Sequence, residues 1–381
     1  MAHPFWDKYI EYEERQEAQD RVFALHARVA RIPLHQYARY YERLRGLADS
    51  RPLNELASSE VLARFRAEVE QDAVARPELE VERDIRKRID GTYYEVFSIT
   101  QAEVTKRWTY ESEIKRPYFH VTELDHSQLS NWRKYLDFEE AEGDFTRVVC
   151  LYERCLVTCA LYEEFWLRYA RWMSAQTNKD EEVRIIFMRA ATMFVPVSRT
   201  AIRLQWAYFE ESCGRVDSAL AIHEAILIKI PDCIEVIISW ANMQRRQNGV
   251  EAAIQVYKDH IDAPTVDLYT KAALVAEWAY LLWKAKGSSD EARAVFLKNV
   301  QWYADSRIFW ERWYQFELEQ PMTDTEHGER VKHVFEELQN KSRLSAATKR
   351  QLGQIYLNYL VQRGDKDSMK IFLKVDRDLF G

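Results

Sequence analysis

Aromatic and apolar positions recur along this chain in one short pattern. An aromatic or apolar residue is followed by two others, then an aromatic, two others, and a further aromatic or apolar residue. The middle members are Tyr9, Tyr40, Tyr135, Tyr169, Trp206, Trp240, Trp278, Trp313 and Tyr356. Steps of three place the members on one face of a helix. The fullest copies are Trp6/Tyr9/Tyr12, Trp132/Tyr135/Phe138, Trp166/Tyr169/Trp172 and Trp310/Trp313/Phe316. From Tyr135 onward the middles lie 34, 37, 34, 38, 35 and 43 residues apart. A period in this range marks an array of repeats, each a small unit that buries its apolar face against its neighbours.

Residues 129–156 show the unit. Trp132, Tyr135, Leu136 and Phe138-Glu139 line one helix, and Gly143 stands where a left-handed cap is wanted. Val148, Val149, Leu151, Tyr152, Cys155 and Leu156 line a second helix. Phe209-Glu210 before Gly214, Trp240 before Gly249, Trp278 before Gly287 and Tyr356 before Gly364 repeat the design. Prolines near the ends of second helices (Pro33, Pro117, Pro196, Pro231) recur because proline cannot continue a helix. The predicted fold is all-α, an α–α superhelix of helix-turn-helix repeats.

The period fails between Tyr40 and Tyr135. Residues 46–80 are polar and lack the triplet, and read as a helical linker with a helix from Ser59 to about Ala75, closed by Pro77. Residues 81–116 read as a degenerate helix pair, with Tyr93, Tyr94 and Phe97 on the first helix and Val104, Trp108 and Glu111 on the second. The expected organisation is therefore 1–45, the end of a repeat block; 46–80, a linker; and 81–381, the main array. At the start, the first repeat begins by Phe5 with nothing to cover its outer face, which reads as missing preceding repeats. At the other end, Met369, Ile371, Phe372, Leu373, Val375, Leu379 and Phe380 crowd into twelve residues. Apolar all round, that segment is expected either to fold back on the last repeat or to dock on a second chain, the second being preferred.

Composition supports helices. Glycine (10) and proline (9) are scarce in 381 residues, which starves sheets of turns. The net charge of −7 argues against a general nucleic-acid coat. No apolar run approaches a membrane span, and the first residues lack the basic and apolar regions of a secretion signal. The odd cysteine count reads as reduced thiols.

Candidate chemistry is thin. Cys155 and Cys159 share a helical face near Cys150, but without a CxxC pair they read as structural thiols rather than a metal site. The aromatic triplets read as core rather than base-stacking platforms. His223 and His333 have no evident partner, and no phosphate loop or nucleophile motif occurs. No catalytic residue, cofactor or metal is expected, nor a small-molecule substrate. Arg86-Lys87-Arg88, Lys106-Arg107 and Lys115-Arg116 fall in one region and could form a patch for RNA phosphate, with solvated faces interleaved with acids as the preferred reading. Tyr118, Phe119 and His120 follow Arg116 without helical periodicity, reading first as a structural corner and second as a partner-contact loop.

Trp-x-x-Tyr-x-x-Phe-Glu, a glycine turn and the second-helix stretch Val148–Leu156 together resemble the half-a-tetratricopeptide (HAT) repeat, a relative of the tetratricopeptide repeat found mainly in RNA-processing proteins. Ile114-Lys115-Arg116-Pro117-Tyr118-Phe119-His120-Val121, then Leu129-Ser130-Asn131-Trp132 and residues 159–166, resemble the pre-mRNA-processing factor 39 family. Residues 5–11 and 31–35 are similar to the end of that family's N-terminal repeat block. The resemblance implies a non-enzymatic nuclear scaffold of the U1 small nuclear ribonucleoprotein, acting in 5′ splice-site selection. It also implies dimerisation through the C-terminal repeats, with itself or a paralogue, which assigns Met369, Ile371, Phe372, Val375, Leu379 and Phe380 to an interface. Arg86, Lys87, Arg88, Lys115, Arg116, Tyr118, Phe119 and His120 remain candidate partner or RNA contacts. A HAT scaffold of another complex, in 3′-end cleavage or spliceosome assembly, is the alternative. Direct RNA binding and a prenyltransferase-like helical subunit stand further off.

Overall fold

The structure, a computed structural model, describes residues 3–70 and 77–381. Among these residues every regular element is helical. The end of the helix expected over 59–75 lies outside the described residues. The chain divides into two compact units, Met1–Thr158 and Cys159–Gly381. That division falls inside the stretch read from the sequence as one array.

The first unit holds α1 (His3–Arg15), α2 (Gln19–Val29), α3 (Tyr37–Asp49), the single turn α4 (Leu53–Leu56), α5 (Ser59–Glu70), α6 (Glu78–Glu113), α7 (His126–Glu142) and α8 (Phe145–Thr158). Residues 81–116 are not a helix pair: α6 runs unbroken for 36 residues. No proline lies between Pro77 and Pro117, and the lone Gly91 costs only about 1 kcal/mol in a helix. The helix changes partners along its length. Val81, Ile85 and Ile89 pack with Phe65 and Val69 of α5, giving the 46–80 segment an apolar cluster of its own. Phe97 then meets Tyr41 (4.6 Å between centroids) and Tyr37 of α3, and Thr100 Oγ1 donates to the Ala30 carbonyl at 2.8 Å. Beyond that, Arg107 engages α7.

The second unit alternates first and second helices. These are α9 (Glu163–Ser174) and α10 (Asp180–Arg189); α11 (Ala201–Ser212) and α12 (Val216–Lys229); α13 (Ile234–Asn248) and α14 (Val250–Asp262); α15 (Leu268–Lys284) and α16 (Ser289–Tyr303); α17 (Arg307–Leu318) and α18 (Asp324–Lys341); α19 (Ala346–Arg363) and α20 (Ser368–Phe380). One apolar cluster extends from Ala207 to Leu360. A π-helical turn, Ala190–Phe194, ends α10 before Pro196. The Arg203 guanidinium of α11, nearly buried, donates to the carbonyls of Ala191 (2.5 Å), Val195 (2.7 Å), Pro196 (2.9 Å) and Arg199 (3.2 Å).

The triplet rings are mostly core. Tyr40, Tyr135, Tyr169, Trp313 and Tyr356 are buried, and Trp206, Trp240 and Trp278 half-buried. Tyr9 is the exception, 38% exposed beside the exposed Tyr12. In the first copy, Trp6 packs towards the α2 cluster and turns the other two rings outward. The predicted cap at Gly143 is present, with φ at +79°.

The Phe-Glu that ends several triplets has a structural task. Arg107 of α6 lies 5.2 Å over Phe138 and forks onto Glu139 (2.9 and 2.7 Å). Arg184 of α10 lies 5.5 Å over Phe209 and forks onto Glu210 (2.8 and 3.1 Å). Arg293 of α16 lies 5.4 Å over Phe316 and forks onto Glu317 (2.8 and 3.0 Å). In each case the arginine belongs to the preceding helix, so the dipeptide fastens one repeat to the one before it. A guanidinium suits this because it stacks on a ring and binds a carboxylate with two donors at once.

Candidate interaction surfaces

The basic runs do not converge. Residues 88 and 113 are separated along α6 by about 38 Å, at 1.5 Å per residue. Arg86-Lys87-Arg88 and Lys115-Arg116 therefore sit at opposite ends of one rod. The runs at 86–88 and 106–107 are also occupied locally. Arg86 donates to the Arg51 carbonyl (2.8 Å), Lys87 pairs with Asp84 (3.2 Å), and Arg88 pairs with Glu68 of α5. Lys106 holds Glu103 and Glu142, while Arg107 is buried against Glu139. Sequence adjacency along a helix spreads charges lengthwise and around the axis, so proximity in number did not make a patch.

The 114–125 loop divides between the two readings made of it. Its backbone is a corner. Thr158 Oγ1 donates to the Arg116 carbonyl (2.7 Å), the Lys115 N–H donates to Gln128 Oε1 (3.1 Å), and Arg116 Nη1 reaches back to the Thr122 carbonyl (3.0 Å). His120 Nδ1 accepts from the Thr122 N–H at 3.0 Å. The rings, however, face outward: Tyr118 is 59% and Phe119 49% exposed, beside exposed Val121. A backbone anchored at both ends presents three apolar side chains to solvent.

Helix α20 is two-faced. Phe372 and Val375 pack against the core cluster, and Leu379 comes against Gly353 of α19, where an added Cβ would lie 2.6 Å from its Cδ1. Met369, Ile371, Leu373 and Phe380 are exposed, Leu373 by 68%. Met369, Leu373 and Phe380 share a stripe at helical spacing. The folding-back reading thus holds for half of the segment, and the other half remains available to a second chain.

Nothing in the residue pattern announces a cleft of about 490 Å³ in the first unit, lined among others by His35, Trp108, Glu111, Tyr135 and Arg154. His35 stacks on Trp108 at 5.0 Å and 15°. Glu111 accepts both Arg154 Nη1 (2.7 Å) and Nη2 (2.8 Å), and the Tyr135 hydroxyl at 2.8 Å. Burial alone would raise the Glu111 carboxyl, but the Arg154 fork outweighs it and holds the group below the usual carboxylate range. Burial, with the Glu111 charge, pushes the Tyr135 phenol well up. The carboxylate of the cleft is bound to its arginine as an ion pair. His35 and Trp108 are 73 residues apart with no pattern joining them.

Elsewhere the singled-out residues are accounted for by packing. Cys155 and Cys159 are buried and Cys150 is exposed. His223 is buried with Nδ1 2.8 Å from the Ala219 carbonyl and Nε2 2.9 Å from Ser239 Oγ. His333 meets Trp313 edge to face. Among the described residues no group of three or more His, Cys, Asp or Glu could hold a metal ion, and no helix is long and apolar enough to cross a membrane.

Comparison with known proteins is consistent with this geometry. The PRP39 N-terminal HAT repeat matches residues 1–46 and the PRP39 C-terminal HAT repeat matches residues 105–246. Pre-mRNA-processing factor 39 of Schizosaccharomyces pombe is 46% identical over 400 residues, covering 100% of this chain and 65% of that protein. The human protein of the same name is 32% identical over 277 residues, covering 67% of this chain and 41% of its own length. The chain thus spans about two thirds of the first relative and less than half of the second. The crystal structure of CSTF-77 superposes with a TM-score of 0.60 at 15% identity, covering 98% of this chain and 79% of that one, and so shares the all-α repeat fold. The triplets and these matches together place the chain in the pre-mRNA-processing factor 39 family of HAT-repeat proteins.

Proposed function

We propose that this chain is a non-enzymatic nuclear platform that joins the U1 small nuclear ribonucleoprotein and serves 5′ splice-site recognition, working as a dimer with a second copy of itself or a paralogue. Family membership supports the splicing role. The observation that carries the dimer is α20, whose inner residues Phe372, Val375 and Leu379 fix it to its own unit while Met369, Leu373 and Phe380 form an outward apolar stripe. Burying a side chain of this size contributes about 1.5–3 kcal/mol, and a twofold axis would count each twice. The exposed Tyr118 and Phe119 suit contact with another protein of the particle.

Light scattering at micromolar concentration tests the dimer. The wild-type chain is expected at twice its 45.4 kDa mass, and the Met369→Asp/Leu373→Asp chain at one copy with unchanged helicity. A monomeric wild type, or an undisturbed dimer in the double variant, refutes the interface. Recovery of U1 RNA with the tagged chain from nuclear extract tests the particle assignment separately, and its absence would refute it.

A further inference from the structure

The loop 114–125 holds a charge that nothing balances. Arg116 Nη1 donates to the Thr122 carbonyl at 3.0 Å, but Nε and Nη2 are closed to water and meet no acceptor. Among the described residues no carboxylate pairs with this guanidinium, although Glu113, Glu123 and Asp125 stand close by in sequence. The fastening arginines show the contrast, since Arg107, Arg184 and Arg293 each hold two carboxylate oxygens. A guanidinium is always charged, and a charge taken out of water without a counter-charge is destabilising. Two unmet donors in a native fold point to a group not yet in place.

Thr122 is the residue positioned to supply it. The Arg116 side chain already lies against it, and Thr122 is exposed in a stretch without regular structure. Its N–H donates to His120 Nδ1 at 3.0 Å, so that nitrogen carries no hydrogen of its own. The Thr122 hydroxyl, 2.7 Å from the same nitrogen, therefore donates to it as well, and its oxygen lone pairs stay free. Thr158 Oγ1 holds the start of the loop through the Arg116 carbonyl, and α7 takes up the chain at His126. Glu123 and Asp125 follow Thr122 by one and three residues. Protein kinases select sites by charge pattern, and acids at these places suit the acid-directed class.

We infer that Thr122 is a phosphorylation site and that Arg116 is the group that binds its phosphate. The Thr122 oxygen attacks the terminal phosphorus of ATP. A bond from that oxygen to phosphorus forms, the bond from phosphorus to the bridging oxygen breaks, ADP leaves, and the hydroxyl proton passes to a base of the kinase. The product carries about two negative charges and three strong acceptors. Beside an arginine such a group forms about one to three charge-assisted hydrogen bonds and orders the segment that bears it. Because Nε and Nη2 are closed to solvent, a group tethered to Thr122 reaches them more readily than a free ion does. Tyr118 and Phe119 lie between the two residues in the chain, so the new pair stiffens the stretch that presents those exposed rings. The inference goes beyond the splicing assignment and requires no dimer.

The test treats the full chain with an acid-directed serine/threonine kinase and ATP, and locates the phosphate by mass spectrometry of its peptides. Thr122 is expected to be modified, and Thr122→Val to lose that phosphate. Amide exchange over 118–125 is expected to slow at least about tenfold in the phosphorylated chain, the scale of one hydrogen bond to a charged group. Arg116→Gln is expected to accept the phosphate without that slowing, and Arg116→Lys, which keeps the charge but not the fork, to slow less than wild type. Circular dichroism confirms that each variant is folded. The inference fails if the folded chain takes up no phosphate at Thr122. It fails equally if exchange is unchanged by the phosphate, or slows as much in the Arg116→Gln chain. Millimolar inorganic phosphate slowing exchange in the unmodified chain to the same degree would make this a site for a free anion, and would overturn the covalent reading.

Discussion

Arg293 and Glu317 face each other across the α16–α17 junction as a two-pronged pair, Nε at 2.8 Å and Nη2 at 3.0 Å from the two carboxylate oxygens, with both side chains almost wholly out of water. The ring of Phe316 covers the open face of the guanidinium. A buried pair of this kind adds little net stability, because desolvation offsets its attraction, yet it is expensive to break by halves. Removing one partner leaves the other charge stranded in a medium that cannot solvate it. Glu317→Ala is therefore expected to lower stability by about 3–5 kcal/mol, whereas Arg293→Met combined with Glu317→Leu recovers most of that loss. Urea midpoints of the three chains check this, and a double variant no better than the single would refute it.

Arg203 performs a different task, collecting four carbonyls of the segment that joins α10 to α11. Its reach depends on the planar fork. Arg203→Met strands these acceptors and is expected to cost about 2–4 kcal/mol, by the penalty of unmet buried groups. Arg203→Lys is expected to rescue little, because one ammonium cannot serve both directions. Amide exchange across 190–200 is the sensitive readout, and full protection in the lysine variant would overturn the account.

Glu103 sets a pH dependence in the first unit. Burial would raise its carboxyl, but hydrogen bonds from Arg147, Lys106 and Arg107 outweigh this and bring it from 4.5 down to about 2. A depressed carboxylate contributes stability that is complete above the ordinary value and is lost as pH falls through the folded one. Melting temperature is expected to fall between about pH 4.5 and 2, and Glu103→Gln is expected to flatten that part of the fall. A parallel decline in both chains would exclude Glu103 as a source.

Gly143 closes α7 with φ at +79°, where no neighbour lies within 4 Å of an added Cβ. Strain alone, not crowding, opposes a side chain. Gly143→Ala is expected to cost about 1–2 kcal/mol, and Gly143→Asn less, since asparagine tolerates the left-handed region. Thermal melts of the two variants check the order.

Within α20, direction decides the outcome of a substitution. Val375→Asp introduces a charge among residues of the core cluster and is expected to detach the helix, seen as lost helicity. Leu373→Asp faces water and is expected to leave helicity intact. Equal losses would mean that the outer stripe is not free.

Much of this architecture was legible in the residue pattern, for a physical reason. Rings three apart share a helical face whatever surrounds them, so Trp310, Trp313 and Phe316 announce a buried stripe, and Gly143 announces the left-handed turn only it can take without strain. The pairs that join helices were not legible. Arg107, Arg184 and Arg293 precede their glutamates by 32, 26 and 24 residues, because loops and helix lengths vary between repeats and no fixed offset survives. The failed triplets suggested a degenerate helix pair in 81–116, yet α6 is continuous, packing against α5, α3 and α7 in turn along its length.

The sequence by itself determined that the chain is helical, that its helices pair, and which face of most of them is dry, because periodicity is a local property of the backbone. Only the tertiary structure decided what those helices offer to others. It set residues 88 and 113 about 38 Å apart along a rod, turned Tyr118 and Phe119 outward from a pinned loop, and split α20 into an inner and an outer face. Exposure and proximity are set by which surfaces the neighbouring helices cover, and that is a property of the packed whole.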